Sequence, residues 1–186
     1  CRDGIESVAA NITGNAAIIG FPEYQAGKVF NSLAVIKDGR IEHFYRKIHL
    51  PNYEVFDEIR YFTPGKNILT IEISGFKVTL TICEDIWIED WLEDFTAAGP
   101  RTDLLINIAA SPFNAGKVDQ RREILTRCTK KLNCALAYCN LVGGQDELVF
   151  DGRSSFLDSD GNIVSEAKSF DEDLLFADIV KLKDSK

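Results

Sequence analysis

The chain has 186 residues, 45% hydrophobic and 27% charged, enough for one well-buried domain and too few for two of ordinary size. Its 29 acidic residues outnumber 21 basic ones for a formal charge of −8, and no basic stripe breaks that balance, which argues against nucleic acid and against an anionic membrane surface. Five cysteines without a C-x-x-C pair, and two histidines, make neither a disulfide scaffold nor a zinc site; no metal is expected, and reduced thiols point to the cytoplasm.

No apolar run approaches the roughly 20 residues of a membrane helix. The sequence starts at Cys1 with no methionine anywhere, so it is expected to be a fragment of a longer chain.

Residues 1–13 place Ile5, Val8, Ala9 and Ile12 at helical spacing. Ala16–Phe21 reads as a strand. Val29–Ile36 and Ile41–Arg46 read as partners around the turn Lys37-Asp38-Gly39, where glycine supplies positive φ. Residues 49–66 form a long loop rich in aromatic and charged side chains. Ile68–Ile73 and Phe76–Ile82 are strands joined at Gly75, and residues 89–98 a helix. Leu104–Ala109 is nearly all apolar, as a strand in a doubly covered sheet must be. Val118–Leu132 is a helix with Arg121, Arg122 and Lys130 on its wet side. Cys134–Cys139 is a buried strand, residues 153–164 a hairpin around Asp158-Ser159-Asp160-Gly161, and Leu174–Ile179 a last strand. Central strands alternating with helices, flanked by hairpins, predict an α/β layered fold with mixed sheets.

The chemistry centres on Cys83. In Val78-Thr79-Leu80-Thr81-Ile82-Cys83-Glu84-Asp85-Ile86-Trp87 an apolar strand ends on a thiol, which places the sulfur at a turn beside fresh backbone N–H groups. Most free cysteines are small buried hydrophobes, and Cys128, Cys134 and Cys139 fit that description. A nucleophilic thiolate also needs a base or a cation. His43 sits in a hairpin strand and His49 at the start of the long loop, so a Cys–His pair has little support. Lys47, at the end of a strand, is the better partner, although a solvated strand-end lysine is the commoner role.

Several segments together resemble the nitrilase, or carbon–nitrogen hydrolase, superfamily, and within it the glutaminase domain of glutamine-dependent NAD synthetases. They are Tyr45-Arg46-Lys47-Ile48-His49-Leu50-Pro51-Asn52-Tyr53 with its continuation to Gly65, Ile82-Cys83-Glu84-Asp85-Ile86-Trp87, Asn107-Ile108-Ala109-Ala110-Ser111-Pro112-Phe113, and Asn140-Leu141-Val142-Gly143-Gly144-Gln145-Asp146-Glu147-Leu148-Val149-Phe150-Asp151-Gly152. The resemblance implies an α-β-β-α layered sandwich spanning residues 1–186, lacking an N-terminal strand and helix. It implies a Glu–Lys–Cys triad in which Cys83 attacks the glutamine side-chain amide and Lys47 stabilises the oxyanion. Tyr53, Ser111 and Lys117 would hold glutamine, Glu84 and Trp87 would shape the pocket wall, and Glu58 would match a second, supporting glutamate.

The general base would be a glutamate upstream of Cys1. Glu23, in Phe21-Pro22-Glu23, imitates its motif, but lies where the family has a later Gly-Phe-Pro-Glu segment. No Ser-Gly-Gly-x-Asp-Ser phosphate loop occurs, so no ATP and no cofactor are expected on this chain. The implied partners are glutamine, an ATP-dependent NAD synthetase domain that takes the ammonia, and further copies in a homo-oligomer. The alternatives are a stand-alone amidase for another small amide and a non-catalytic assembly module.

Overall fold

A computed structural model describes residues 1–98 and 101–180. They form two compact units, residues 1–69 and the residues from Thr70 onward.

The first unit is a helix on a three-stranded antiparallel sheet. α1 (Arg2–Ala9) precedes β1 (Ala16–Gln25), β2 (Lys28–Lys37) and β3 (Arg40–Arg46), ordered β1-β2-β3. Two-residue turns link the strands, with positive φ at Ala26 and Gly27 and at Asp38 and Gly39, the geometry that matches strand twist. α1 buries Ile5 and Ala9 on Ala34 and Ile36 of β2, with Ile12, Ala17, Ile19, Phe21 and Ile41 around them. The helix stops at Ala9, short of the expected residue 13: the Asn11 side chain bonds back to the Ser7 carbonyl at 2.8 Å, and Gly14 turns the chain at φ +75°. The long loop after β3 contains one short helix, α2 (Glu58–Tyr61).

Alternation along β2 divides polar residues between the two faces of this sheet. On the α1 face, Glu23 accepts Ser32 Oγ at 2.8 Å and Arg46 Nε and Nη2 at 2.8 and 2.6 Å. Arg46 also lies 4.1 Å over the Phe30 ring and contacts Gln25 Oε1. Asn31, the residue before Ser32, points the other way, its Nδ2 reaching Glu58 Oε2 at 3.4 Å.

The second unit is a mixed sheet of six strands ordered β11-β10-β7-β6-β5-β4. β4 (Leu69–Ile73) and β5 (Phe76–Ile82) form a hairpin around Ser74 and Gly75. β5, β6 (Leu104–Ala109) and β7 (Ala135–Asn140) are parallel; β10 (Ser155–Leu157) and β11 (Ile163–Glu166) run antiparallel beyond them. α3 (Glu89–Ala98) and α4 (Lys117–Leu132) complete the unit. A separate hairpin, β8 (Val142–Gln145) with β9 (Leu148–Asp151), stands in a segment with no strand pattern in the sequence.

Three expectations are corrected. Leu174–Ile179 forms no strand; Leu174 and Phe176 are 81% and 83% exposed, so their spacing matched a pattern without a sheet to bury it. Cys139 is exposed, because alternation on β7 sends it opposite to buried Tyr138 and Asn140. Arg121 is 4% exposed and ion-paired rather than solvated. It shares the buried stripe of α4 with Leu125, Cys128 and Thr129, at the i, i+4, i+7 and i+8 positions of one helix face.

Two outcomes follow for the first unit. The Arg46 hydrogen bonds hold the Glu23 carboxyl below its ordinary 4.5 against the opposing effect of burial. A lowered folded-state pKa adds stability above the unfolded value and loses it as pH falls through the folded one. The stability gap between the wild type and Glu23→Gln, measured by urea unfolding, should therefore be largest near neutrality and close below about pH 4.5. Gly65→Ala would place a Cβ 2.1 Å from the Arg46 carbonyl oxygen. It should lower stability by about 2–3 kcal/mol in the same assay, because backbone has to move.

Candidate active site

β5 ends at Ile82, and the chain enters a single 3-10 turn, Cys83–Ile86, with Cys83 as its first residue. Cys83 takes φ +44°, a left-handed conformation costing a non-glycine residue on the order of 1–3 kcal/mol unless its surroundings enforce it. They do. The Asp85 carboxylate accepts the Ile82 N–H at 2.9 Å, and Asn107 Nδ2 donates to Thr81 Oγ1 at 2.9 Å and reaches the Cys83 carbonyl at 3.4 Å. Asp85, Thr81 and Asn107 are fully buried, while Cys83 is half-buried. The strand therefore delivers the sulfur to a rim, on a backbone pinned from both sides.

Parallel register brings the next parts to that rim. Ile82 lies opposite Ile108, and Ala109 opposite Asn140, so β5, β6 and β7 end together. The carboxyl edge of parallel strands is where α/β sheets open a crevice. Ser111 leaves β6 there, 3% exposed, its backbone N–H donated to Asn140 Oδ1 at 3.0 Å. Lys117 opens α4, and its Nζ lies 3.9 Å from the centre of the Trp87 ring, a cation–π contact joining the helix start to the end of the Cys83 turn. Glu84 is 8% exposed. The second unit thus gathers Cys83, Glu84, Trp87, Ser111 and Lys117 at one edge of its sheet.

The first unit carries the remaining candidates. Lys47 follows β3 and is 1% exposed, far from the solvated role that a strand-end lysine suggests. Its backbone is clamped twice, N–H to the Asn31 carbonyl at 2.8 Å and carbonyl from the Gly65 N–H at 2.7 Å. Its Nζ meets Glu58 Oε1 at 2.6 Å. Glu58 stands on α2, so this ion pair ties the loop to the end of β3. Tyr53 is 48% exposed and packs edge-on against Phe56, with ring centres 5.7 Å apart. Glu23 belongs to the opposite face of the sheet from Asn31 and Glu58, held by Arg46, which separates it from Lys47 and removes it as a base for that site.

The other thiols have different fates. Burial pushes Cys128 and Cys134 up to about 12, so they are inert at neutral pH. Sequence reasoning missed Arg121, Asp151, Asn140 and Asn107. The signal for Arg121 was its place on the apolar stripe of α4; the other three are polar residues within strands, whose partners lie elsewhere in the chain.

The family model for carbon–nitrogen hydrolases matches residues 7–182. The glutamine-dependent NAD(+) synthetase of Thermotoga maritima is 43% identical over 166 residues, covering 89% of this chain and 29% of that protein. The corresponding protein of Aquifex aeolicus is 46% identical over 157 residues, covering 84% and 27%. This chain therefore spans under a third of the length of these curated relatives. Among solved structures, glutamine-dependent NAD+ synthetase from Acinetobacter baumannii superposes with a TM-score of 0.86 at 35% identity, covering 92% of this chain and 32% of that one. A carbon–nitrogen hydrolase from Helicobacter pylori gives 0.78 at 25% identity, covering 92% and 64%. The nitrilase-type mixed α/β fold and the sequence match agree, and the chain belongs to the carbon–nitrogen hydrolase family.

Proposed function

We propose that this chain is a glutaminase module, releasing ammonia from the side-chain amide of glutamine for an ATP-dependent NAD synthetase domain of the same protein. The observation that carries the reading is Cys83, a half-buried thiol on an enforced left-handed turn at the carboxyl edge of parallel strands. The relatives that match most of this chain are glutamine-dependent NAD(+) synthetases, and that supports the choice of amide.

In this reading the Cys83 thiolate adds to the side-chain carbonyl carbon of glutamine. The developing oxyanion is stabilised by the Lys47 ammonium and the backbone N–H after Cys83. The C–N bond then breaks, the nitrogen leaves as ammonia with the proton returned by the base, and a glutamyl thioester remains. Water adds to the thioester, the C–S bond breaks, and glutamate leaves. The base is the glutamate that the family resemblance places outside these residues, since Glu23 is held by Arg46. Glu58 fixes the position of the Lys47 Nζ through their ion pair. Tyr53, Ser111 and Lys117 hold the substrate, with Lys117 suited to its α-carboxylate. A cytoplasmic setting fits the reduced thiols, and the homo-oligomer rests on the family resemblance alone.

Two variants test the assignment in the whole protein. Cys83→Ala should abolish glutamate formation from glutamine while leaving NAD synthesis from free ammonia intact; residual glutaminase activity would refute it. Lys47→Met should lower glutamine turnover by about 10²–10³-fold, the usual effect of losing one oxyanion donor. It should also destabilise the protein by about 2 kcal/mol, because Glu58 loses its cation in a mostly buried site. Turnover within a few-fold of wild type would remove Lys47 from the chemistry.

A further inference from the structure

Two charges in the interior of the second unit have no part in the reaction above. Arg121 is 4% exposed and Asp151 0%, and they pair in two parallel hydrogen bonds of 3.0 and 2.9 Å. Burying such a pair costs desolvation that an apolar pair of equal volume would avoid, so its presence asks for a use other than stability. Burial lowers the Arg121 pKa, and the Asp151 hydrogen bond outweighs it to leave that pKa raised.

The pair ends on one asparagine. Asn140 is 7% exposed; its Nδ2 donates to Asp151 Oδ1 at 3.5 Å and to the Gly152 carbonyl at 2.8 Å. An amide can turn either end to a neighbour, but here a carboxylate and a carbonyl both demand the NH2 side. Oδ1 is left to face the Ser111 N–H, which it accepts at 3.0 Å. The Asn140 N–H is itself fixed by Ser154 Oγ at 3.0 Å. A chain of contacts thus runs from α4 through the end of β9 and the end of β7 to the loop after β6.

We propose that Arg121 and Asp151 are positioning residues: by fixing the orientation of the Asn140 amide they lock the Ser111 backbone, and so set the affinity of the site for its substrate amide. This rests on the glutaminase reading for the identity of the substrate. None of the three touches the reacting atoms. Their effect should appear in binding and leave the intrinsic reactivity of the sulfur unchanged.

The test uses three readouts on the whole protein. The first is saturable alkylation of Cys83 by the chloroketone analogue of glutamine, in which the thiolate forms a C–S bond and chloride leaves. The second is the rate with iodoacetamide, and the third is hydrogen-exchange protection of the Ser111 amide. Asn140→Ala should weaken the apparent affinity for the chloroketone by about tenfold or more. The limiting alkylation rate and the iodoacetamide rate should stay within about twofold, while Ser111 protection falls. Asn140→Asp alone sets like charges together and should weaken affinity as well. Asp151→Asn takes away a carboxylate that demands the NH2 side of Asn140 and should weaken affinity in the same direction while sparing the iodoacetamide rate. Unchanged affinity in Asn140→Ala overturns the proposal. So does a parallel fall in affinity, limiting rate, iodoacetamide rate and melting temperature. A wild-type protein that the chloroketone alkylates without saturation refutes the glutamine reading instead; Ser111 exchange in the variants then decides whether the pair governs the loop.

Discussion

A left-handed residue at the end of a parallel strand is the constraint on which the second unit depends. Cys83 cannot relax into the ordinary strand conformation without turning its sulfur, and it cannot stay left-handed without help. The help comes from the next strand and the next turn, through Asn107 and Asp85. Paired register makes this a property of the whole sheet. Thr81, Asn107, Tyr138 and Ser155 lie opposite one another across β5, β6, β7 and β10, a buried polar row beside the carboxyl edge. Two residues back, Thr79, Leu105, Leu136 and Leu157 form the corresponding row, apolar on three of its four strands. Buried polar groups cost free energy unless hydrogen-bonded, so the sheet confines most of them to the row that borders the site.

The first unit solves a similar problem with two consecutive cations. Arg46 and Lys47 leave β3 toward opposite faces of the sheet, and each finds one glutamate. Arg46 takes Glu23 in a forked grip that only a planar guanidinium can make. Lys47 presents a point charge to Glu58 and keeps its remaining donors. The two roles do not interchange, since a lysine could not fork around Glu23 and the larger guanidinium would have to fit where Lys47 is already fully buried.

Most elements were legible in the sequence because their pattern is local. Residues 89–98 and 104–109 coincide with α3 and β6, and the hairpins at Gly39 and Gly75 carry their own turn chemistry. The positions of Cys83 just past β5 and of Lys47 just past β3 were legible from the strand ends. What stayed hidden depends on distant partners. Arg121 looks solvated until Asp151, 30 residues on, is brought beneath it. Asn140 looks like a strand end until the Ser111 N–H arrives from 29 residues away. The glycine-rich segment 142–151 has no alternation to announce β8 and β9, and Leu174–Ile179 has alternation with no neighbour to use it. Periodicity reports what a segment is able to form; pairing reports what it meets.

The unequal burial of the cysteines has a practical side. Cys1 and Cys139 lie at the surface and Cys83 at a rim, whereas Cys128 and Cys134 are sealed beside α4, under its packed face and just past its end. Mild alkylation would tag the first three and spare the last two until the second unit opens. The sealed pair is thus a native clock for that opening, readable by mass without any added probe.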